Sequence, residues 1–309
     1  MVEQRIENPR VGGSIPSLAT IFFLSNYPMG NAMPDSVKQS LTSAAVQLGS
    51  RLDAEVLLCH VLTKPRAWLF AHDTDPLSAT QVERFQQLIK RRLTGEPIAY
   101  LVGEREFYGR DFSVTPAVLI PRPETELLVE LTLELDLPDT AQIADIGTGS
   151  GCIGLTLTAE RPGWTISLCD LSDEALQVAA SNSQRLGLDA RTQCLHGDLL
   201  DALPNGQSLH AIVSNPPYIA DGDHHLEQGD LRFEPAMALS SGTDGLDTLK
   251  RLVNQSPQYL LPGGWLLMEH GYDQAAAVRE LLKASGFSQI ASHRDLAGIE
   301  RVTLGRAFC

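Results

Sequence analysis

The stretch Ile143-Ala144-Asp145-Ile146-Gly147-Thr148-Gly149-Ser150-Gly151 decides the fold. Its first half has the apolar character of a buried strand; its second half sets glycines at alternate positions before a helical pattern. Glycine lets the backbone turn sharply and lets a ligand approach the chain closely. Asp170 closes the next strand-like run, 19 residues after Gly151, where a carboxylate typically accepts hydrogen bonds from ribose hydroxyls. A dinucleotide site would prefer the spacing GxGxxG, and position 152 here is Cys. Asp145, just before the first glycine, suits a ligand carrying ammonium and sulfonium charge and suits a pyrophosphate poorly. Asp198, after the third strand-like run, is placed to meet an adenine amino group. These features favour S-adenosylmethionine over NAD.

Working outward, strand-like runs at Gln142–Ile146, Thr165–Cys169, Arg191–Leu195, His210–Ser214, Gly264–Met268 and Phe287–Ala291 alternate with helical patterns. The helical patterns are clearest at Asp173–Leu186, Leu246–Leu260 and Asp273–Ser285. Arg301–Leu304 is placed to add a final strand. The alternation predicts an α/β, Rossmann-like, doubly wound and mostly parallel sheet. Upstream, apolar residues recur at helical spacing from Val37 to Leu93, with Ser36 or Asp35 as the first N-cap, and Gly95-Glu96-Pro97 stops the pattern. Residues 98–120 read as a β-hairpin carrying Phe107, Gly109, Phe112, Val114 and Val118. The expected divisions are residues 1–32, disordered or preceding a natural start at Met33; 33–95, a small N-terminal helical substrate-recognition domain; 96–122, a β-hairpin linker; and 123–309, the catalytic domain.

The fourth strand-like run leads directly into Asn215-Pro216-Pro217-Tyr218. In open α/β sheets ligands bind beyond the carboxyl ends of the strands, so this tetrad is expected to face the crevice of the glycine turn. The prolines fix φ and donate no N–H, which leaves rigid carbonyls. Asn215 through its side-chain carbonyl and Pro216 through its backbone carbonyl can accept both hydrogens of a planar –NH2 group. Tyr218 offers a ring face to a flat substrate group. An amide nitrogen is a poor nucleophile because its lone pair is delocalised; two acceptors on its hydrogens raise its electron density and orient it. Methyl transfer from a sulfonium then proceeds largely through proximity.

The glycine turn and the tetrad together resemble class I methyltransferases that modify planar amino groups. Gly95-Glu96-Pro97-Ile98-Ala99-Tyr100-Leu101, Ile120-Pro121-Arg122-Pro123-Glu124-Thr125-Glu126 and Arg232-Phe233-Glu234-Pro235 narrow the resemblance to the PrmC/HemK family of peptide chain release factor glutamine methyltransferases. It covers roughly residues 34–306. It implies methylation of the side-chain amide nitrogen (N5) of the glutamine in the Gly-Gly-Gln motif of class-1 release factors. It implies that Gly147, Thr148, Gly149, Ser150, Gly151, Asp170, Asp198, Leu199 and Asn215 bind S-adenosylmethionine. It further implies that Asn215, Pro216, Pro217 and Tyr218 hold the glutamine. The position after Asp198 is often aromatic in relatives; Leu199 here implies apolar packing without ring stacking. Arg122, Glu124, Thr125 and Glu126 are expected near the cleft, with no individual roles assigned.

Composition bounds what else the chain can be. It has 24 Lys+Arg and 38 Asp+Glu, a formal charge of −14, which disfavours bulk attraction to nucleic acid or to an anionic membrane surface. No run approaches the ~20 apolar residues of a membrane span. Five irregularly spaced cysteines, without a CxxC, fit reduced cytoplasmic thiols and no zinc site. The expectation is a cytoplasmic monomer acting on a protein, without stable nucleic-acid binding. Ribosomal-protein glutamine methylation of the PrmB type is the nearest alternative. A DNA or RNA amino-group methyltransferase is another, and a non-catalytic S-adenosylmethionine-binding protein a third. Asp221-Gly222-Asp223-His224-His225 reads as a solvated loop, and His270 as a structural hydrogen-bonding group rather than a general base. Lys90-Arg91-Arg92 reads as a solvated helix face, with contact to a translation factor as its functional alternative.

Overall fold

A computed structural model describes residues 35–204, 206–227 and 229–308. The expectations for residues 1–32 lie outside the described residues. The N-terminal part is helical: α1 (Val37–Leu48), α2 (Arg51–Leu62), α3 (Arg66–Ala71), α4 (Ala79–Leu93) and α5 (Ile98–Val102). Two of these helices start on the same device. The Ser36 hydroxyl accepts from the Gln39 amide while the Gln39 side chain accepts from the Ser36 amide; Ser78 and Gln81 repeat the exchange at α4. Leu41, Leu57, Leu58, Phe85 and Ile89 close a core between α1, α2 and α4. Glu55 faces inward in α2 and is held ionised by Arg51 (2.7 Å) and Arg66 (2.6 Å), which keep its carboxyl below the usual range.

The hairpin is shorter than its apolar pattern suggested. Residues 98–102 form α5, and only β1 (Glu104–Phe107) and β2 (Arg110–Ser113) pair. Tyr108 and Gly109, at φ 51° and 73°, make the turn whose backbone twist matches paired strands. A short 3-10 turn, Pro123–Thr125, then opens α6 (Glu126–Leu133).

From β3 (Gln142–Ile146) the chain alternates: α7 (Cys152–Glu160), β4 (Thr165–Asp170), α8 (Asp173–Arg185), β5 (Thr192–His196), β6 (Leu209–Ser214), α9 (Asp247–Gln255), β7 (Leu260–Glu269), α10 (Ala275–Ala284), β8 (Ser288–Arg294) and β9 (Glu300–Arg306). The sheet order is β5-β4-β3-β6-β7-β9-β8, with β9 alone antiparallel, to both its neighbours β7 and β8. The tail strand therefore enters between β7 and β8 instead of standing at the edge. Leu260, read from periodicity as the end of a helix, begins β7, because a 3-10 turn at Ser256–Gln258 ends the helical run first. Successive β3 residues face opposite layers: Ile143 joins the core with Leu155 and Leu168, Ala144 the core with Leu249 and Leu266.

Candidate active site

Strand order reverses at β3, which pairs with β4 on one side and β6 on the other, so Ile146, Asp170 and Ser214 end side by side. A cavity of about 320 Å³ opens there, within the range of small-molecule sites. Gly147, Thr148, Gly149, Ser150, Asp170, Asp198, Leu199, Asn215 and Pro217 line it, together with Arg122, Thr125 and Arg251.

The glycine turn is built from β4. The amides of Gly147 and Thr148 both donate to the Cys169 carbonyl at 2.9 Å, and the Gly149 amide donates to Asp170 Oδ2 at 2.9 Å. Asp170 Oδ1 accepts from the Ser172 amide (3.0 Å), so this carboxylate organises the turn and still lines the cavity. Gly147 and Gly149 have left-handed φ, and no atom stands within 4 Å of where a Cβ would project. Gly151 is different: it lies off the cavity lining, and a Cβ there would meet Leu155 at 2.8 Å. Its hydrogen serves helix packing at the start of α7.

Asp145 also lies off the lining and is fully buried beneath the turn. Its Oδ2 accepts from Thr148 Oγ1 (2.6 Å) and the Gly154 amide (2.9 Å), while Oδ1 has no hydrogen-bond partner. Burial pushes its carboxyl up to about 6, against these two hydrogen bonds. Asp198 faces the cavity, with Oδ2 accepting from Arg251 Nη2 at 2.7 Å. Leu199 takes φ 54°, a conformation uncommon outside glycine and asparagine, at the cavity wall.

In the tetrad, Asn215 Nδ2 donates to Thr125 Oγ1 at 3.1 Å. Pro216 is buried, and neither it nor Tyr218 is among the lining residues. The Tyr218 hydroxyl donates to Glu269 Oε1 at 3.2 Å, and its carbonyl accepts from Gln274 Nε2 at 2.9 Å. Burial pushes Glu269 up to about 7, opposed by Thr125, Arg301 and Tyr218. His270, next in the strand, is fully buried with Nδ1 2.9 Å from the Gly271 carbonyl oxygen and Nε2 2.8 Å from Thr303 Oγ1. That is the structural role expected of it.

The stretch Ile120–Glu126 divides its work among three partners. Arg122 pairs with Glu234, Thr125 accepts from Asn215, and Glu126 Oε1 accepts from the Tyr108 amide of the hairpin turn at 2.9 Å. Arg251 and Glu269 were assigned no functional role from the sequence; Arg122 and Glu234 each stood in a stretch that carried the family resemblance, but nothing there showed that they pair. In the basic segment Lys90 and Arg91 are exposed, as expected of a solvated helix face, with Arg91 paired to Glu96; only Arg92 is half-buried, pairing with Asp53 (2.9 Å) and Asp230 (3.3 Å). Arg92 thereby fastens the helical part to the loop that follows the tetrad, as does Arg232 Nη2, which donates to the Thr94 carbonyl at 2.5 Å.

The fold and the crevice at its strand switch define a class I methyltransferase with a Rossmann-like sheet. The chain matches a PrmC N-terminal domain model over residues 36–103 and a methyltransferase small domain model over residues 123–242. It is 52% identical over 256 residues to the release factor glutamine methyltransferase of Bordetella pertussis, covering 82% of this chain and 94% of that protein. The protein of the same name from Pseudomonas aeruginosa is 48% identical, covering 84% and 94%. A solved methyltransferase from Pyrococcus furiosus shares the fold at a TM-score of 0.50 and 16% identity, over 71% of this chain and 98% of that one. The chain belongs to the release factor glutamine methyltransferase family.

Proposed function

We propose that this protein transfers a methyl group from S-adenosylmethionine to the side-chain amide nitrogen (N5) of the glutamine in the Gly-Gly-Gln motif of class-1 release factors. The observation that carries this reading is the Asn215–Thr125 contact at the mouth of the glycine-turn cavity. With Nδ2 committed to Thr125, the Asn215 carbonyl is left as an acceptor for a substrate amide hydrogen. The Pro216 carbonyl takes the second hydrogen, and the Tyr218 ring, its hydroxyl anchored on Glu269, packs on the amide plane.

The turn suits the cofactor. The open space beside Gly147 and Gly149 admits close approach, Asp170 presents a carboxylate to ribose hydroxyls, and the partnerless Asp145 Oδ1 adds negative potential under a cationic ligand. Thr148, Ser150, Asp198, Leu199 and Asn215 complete the binding set. The bound cofactor supplies an electrophilic methyl on sulfonium. The chain's own residues orient the amide, hold its hydrogens and exclude water; no strong base is needed, because the proton leaves after transfer.

Residues 33–95 serve as the substrate-recognition unit, 96–122 as the linker and 123–309 as the catalytic unit, of a monomer in the cytoplasm. Free thiols at Cys59, Cys152, Cys169 and Cys194 support that compartment. Among the described residues, no helix is long and apolar enough to cross a membrane. The test is incubation of the enzyme and methyl-labelled cofactor with purified release factor, ribosomal protein and DNA. Label on the Gly-Gly-Gln glutamine of the release factor is the expected result; label only on another substrate overturns the reading.

A further inference from the structure

We propose that Arg232 is a positioning residue: seated in the space left by Gly95, it ties the helical N-terminal part to one wall of the cavity, so that the cofactor site depends on the helical part for its shape. The inference deepens the proposed function and rests on its reading of the cavity as the S-adenosylmethionine site.

Residues 95–101 and 232–235 stand out in the sequence, yet none of the proposed cofactor or glutamine contacts comes from them. The fold brings them together. Ala99, Tyr100, Val118 and Ile120 share one buried apolar cluster, and Phe233 packs against it. The Tyr100 hydroxyl donates to the Val118 carbonyl at 2.6 Å. Arg232 closes the group. Its Nη2 donates to the Thr94 carbonyl at 2.5 Å, and its Cζ stands 4.9 Å from the Phe233 ring centroid, in the range of a cation–π contact.

Gly95 admits the guanidinium. Its φ of 94° lies in the left-handed region, and a Cβ there would stand 1.9 Å from Arg232 Nη2 and 3.0 Å from its Cζ. Two separate reasons therefore call for glycine at this position, the backbone and the arginine.

The arm that carries Arg232, residues 230–241, is anchored at both ends. At its tip Arg92 of α4 pairs with Asp230. At its base it returns to the end of the tetrad: the Ile219 amide donates to the Leu239 carbonyl and the Ser241 amide to the Ile219 carbonyl, both at 2.9 Å. Between these anchors Pro235, Met237 and Ala238 line the cavity. Met237 is 54% exposed, so this wall has little packing of its own, and its place follows from the anchors. Neither Arg232 nor Gly95 lines the cavity. A substitution at either reaches the cofactor only through the arm.

The test uses the full-length enzyme with R232A, G95A and the double variant. Two readouts are taken: the Met237 methyl NMR signal of the free enzyme, assigned by its loss in M237L, and the Kd for S-adenosylmethionine by isothermal titration. R232A is expected to move the Met237 signal and to raise Kd about three- to tenfold, the scale for residues that act without touching the ligand. G95A is expected to do the same, and the double variant no more than either, because both remove one seat. An unmoved Met237 signal with unchanged Kd in R232A overturns the inference. So do additive effects of the two substitutions, which would assign Gly95 to backbone conformation alone. A wild-type enzyme that binds no S-adenosylmethionine overturns the proposed function instead, and the Met237 signal still decides whether Arg232 sets the wall. Arg232 is exposed, and circular dichroism of each variant separates these effects from loss of folding.

Discussion

Arg122 and Glu234 form an ion pair, Nη2 to Oε1 at 2.5 Å, that ties the segment before α6 to the loop between β6 and α9. The Glu234 side chain is wholly buried, its Oε2 has no hydrogen-bond partner, and Arg122 lines the cavity. Burial raises the Glu234 carboxyl above its ordinary range even with the guanidinium beside it.

Removing one partner of such a pair leaves an uncompensated buried charge. R122A is expected to destabilise the protein by roughly 3 kcal/mol at neutral pH, measured by urea unfolding. Adding E234Q, which removes the stranded charge, is expected to recover part of that loss. A double variant no more stable than R122A would show that the ion pair is not the source.

Asp170 accepts from the amides of both Gly149 and Ser172. D170A is expected to weaken S-adenosylmethionine binding by about ten- to a hundredfold, as for hydrogen bonds involving a charged group. Isothermal titration with the cofactor reads it directly. Asn215→Ala in the same assay is expected to weaken cofactor binding much less than D170A does while methyl transfer is lost.

Asp145 and Glu269 are both buried and both titrate above their ordinary range, at about 6 and about 7. Between an unfolded carboxyl near 4 and these folded values, the native state holds more protons than the unfolded state. Stability contributed by the two groups is therefore fully present below about pH 4 and is lost as pH rises through about 6 and about 7. Denaturant midpoints for the wild type and for a D145N/E269Q variant, taken from pH 5 to 8, should show the wild type falling relative to the variant. Parallel curves would contradict the assignment.

Gly154 sits inside α7 where a Cβ would stand 2.4 Å from Leu168 Cδ2 and 3.0 Å from Asp145 Oδ2. G154A gains helix propensity on the order of 1 kcal/mol, but overpacking of this size costs about 1–3 kcal/mol. A net lower Tm is expected in thermal unfolding. A raised Tm would mean that α7 can move away from β4.

Much of the site was legible because its parts are consecutive in sequence. The glycine turn and the tetrad each follow a strand, and strand ends in a parallel sheet meet on one side, so Asp170, Gly149 and Asn215 converge by topology alone. Gly151 and Asp145 read the same way as their neighbours, yet they lie off the cavity lining. Alternation along the turn sends one to helix packing and the other under the loop. Leu260 and Ile98–Val102 were misread because short apolar runs fit either period.

The sequence by itself determined the layered α/β sheet, the helical N-terminal part and the two motifs, since these depend on local periodicity and on residues that set backbone geometry. Tertiary structure decided the pairings between distant segments: Thr125 with Asn215 across 90 positions, Arg122 with Glu234 across 112, and Tyr218 with Glu269 across 51. It also decided that Arg92 serves Asp53 and Asp230 instead of an outside partner. The physical reason is that a side chain's charge state and hydrogen-bonding sense depend on what burial brings beside it, and no spacing along the chain encodes that neighbour.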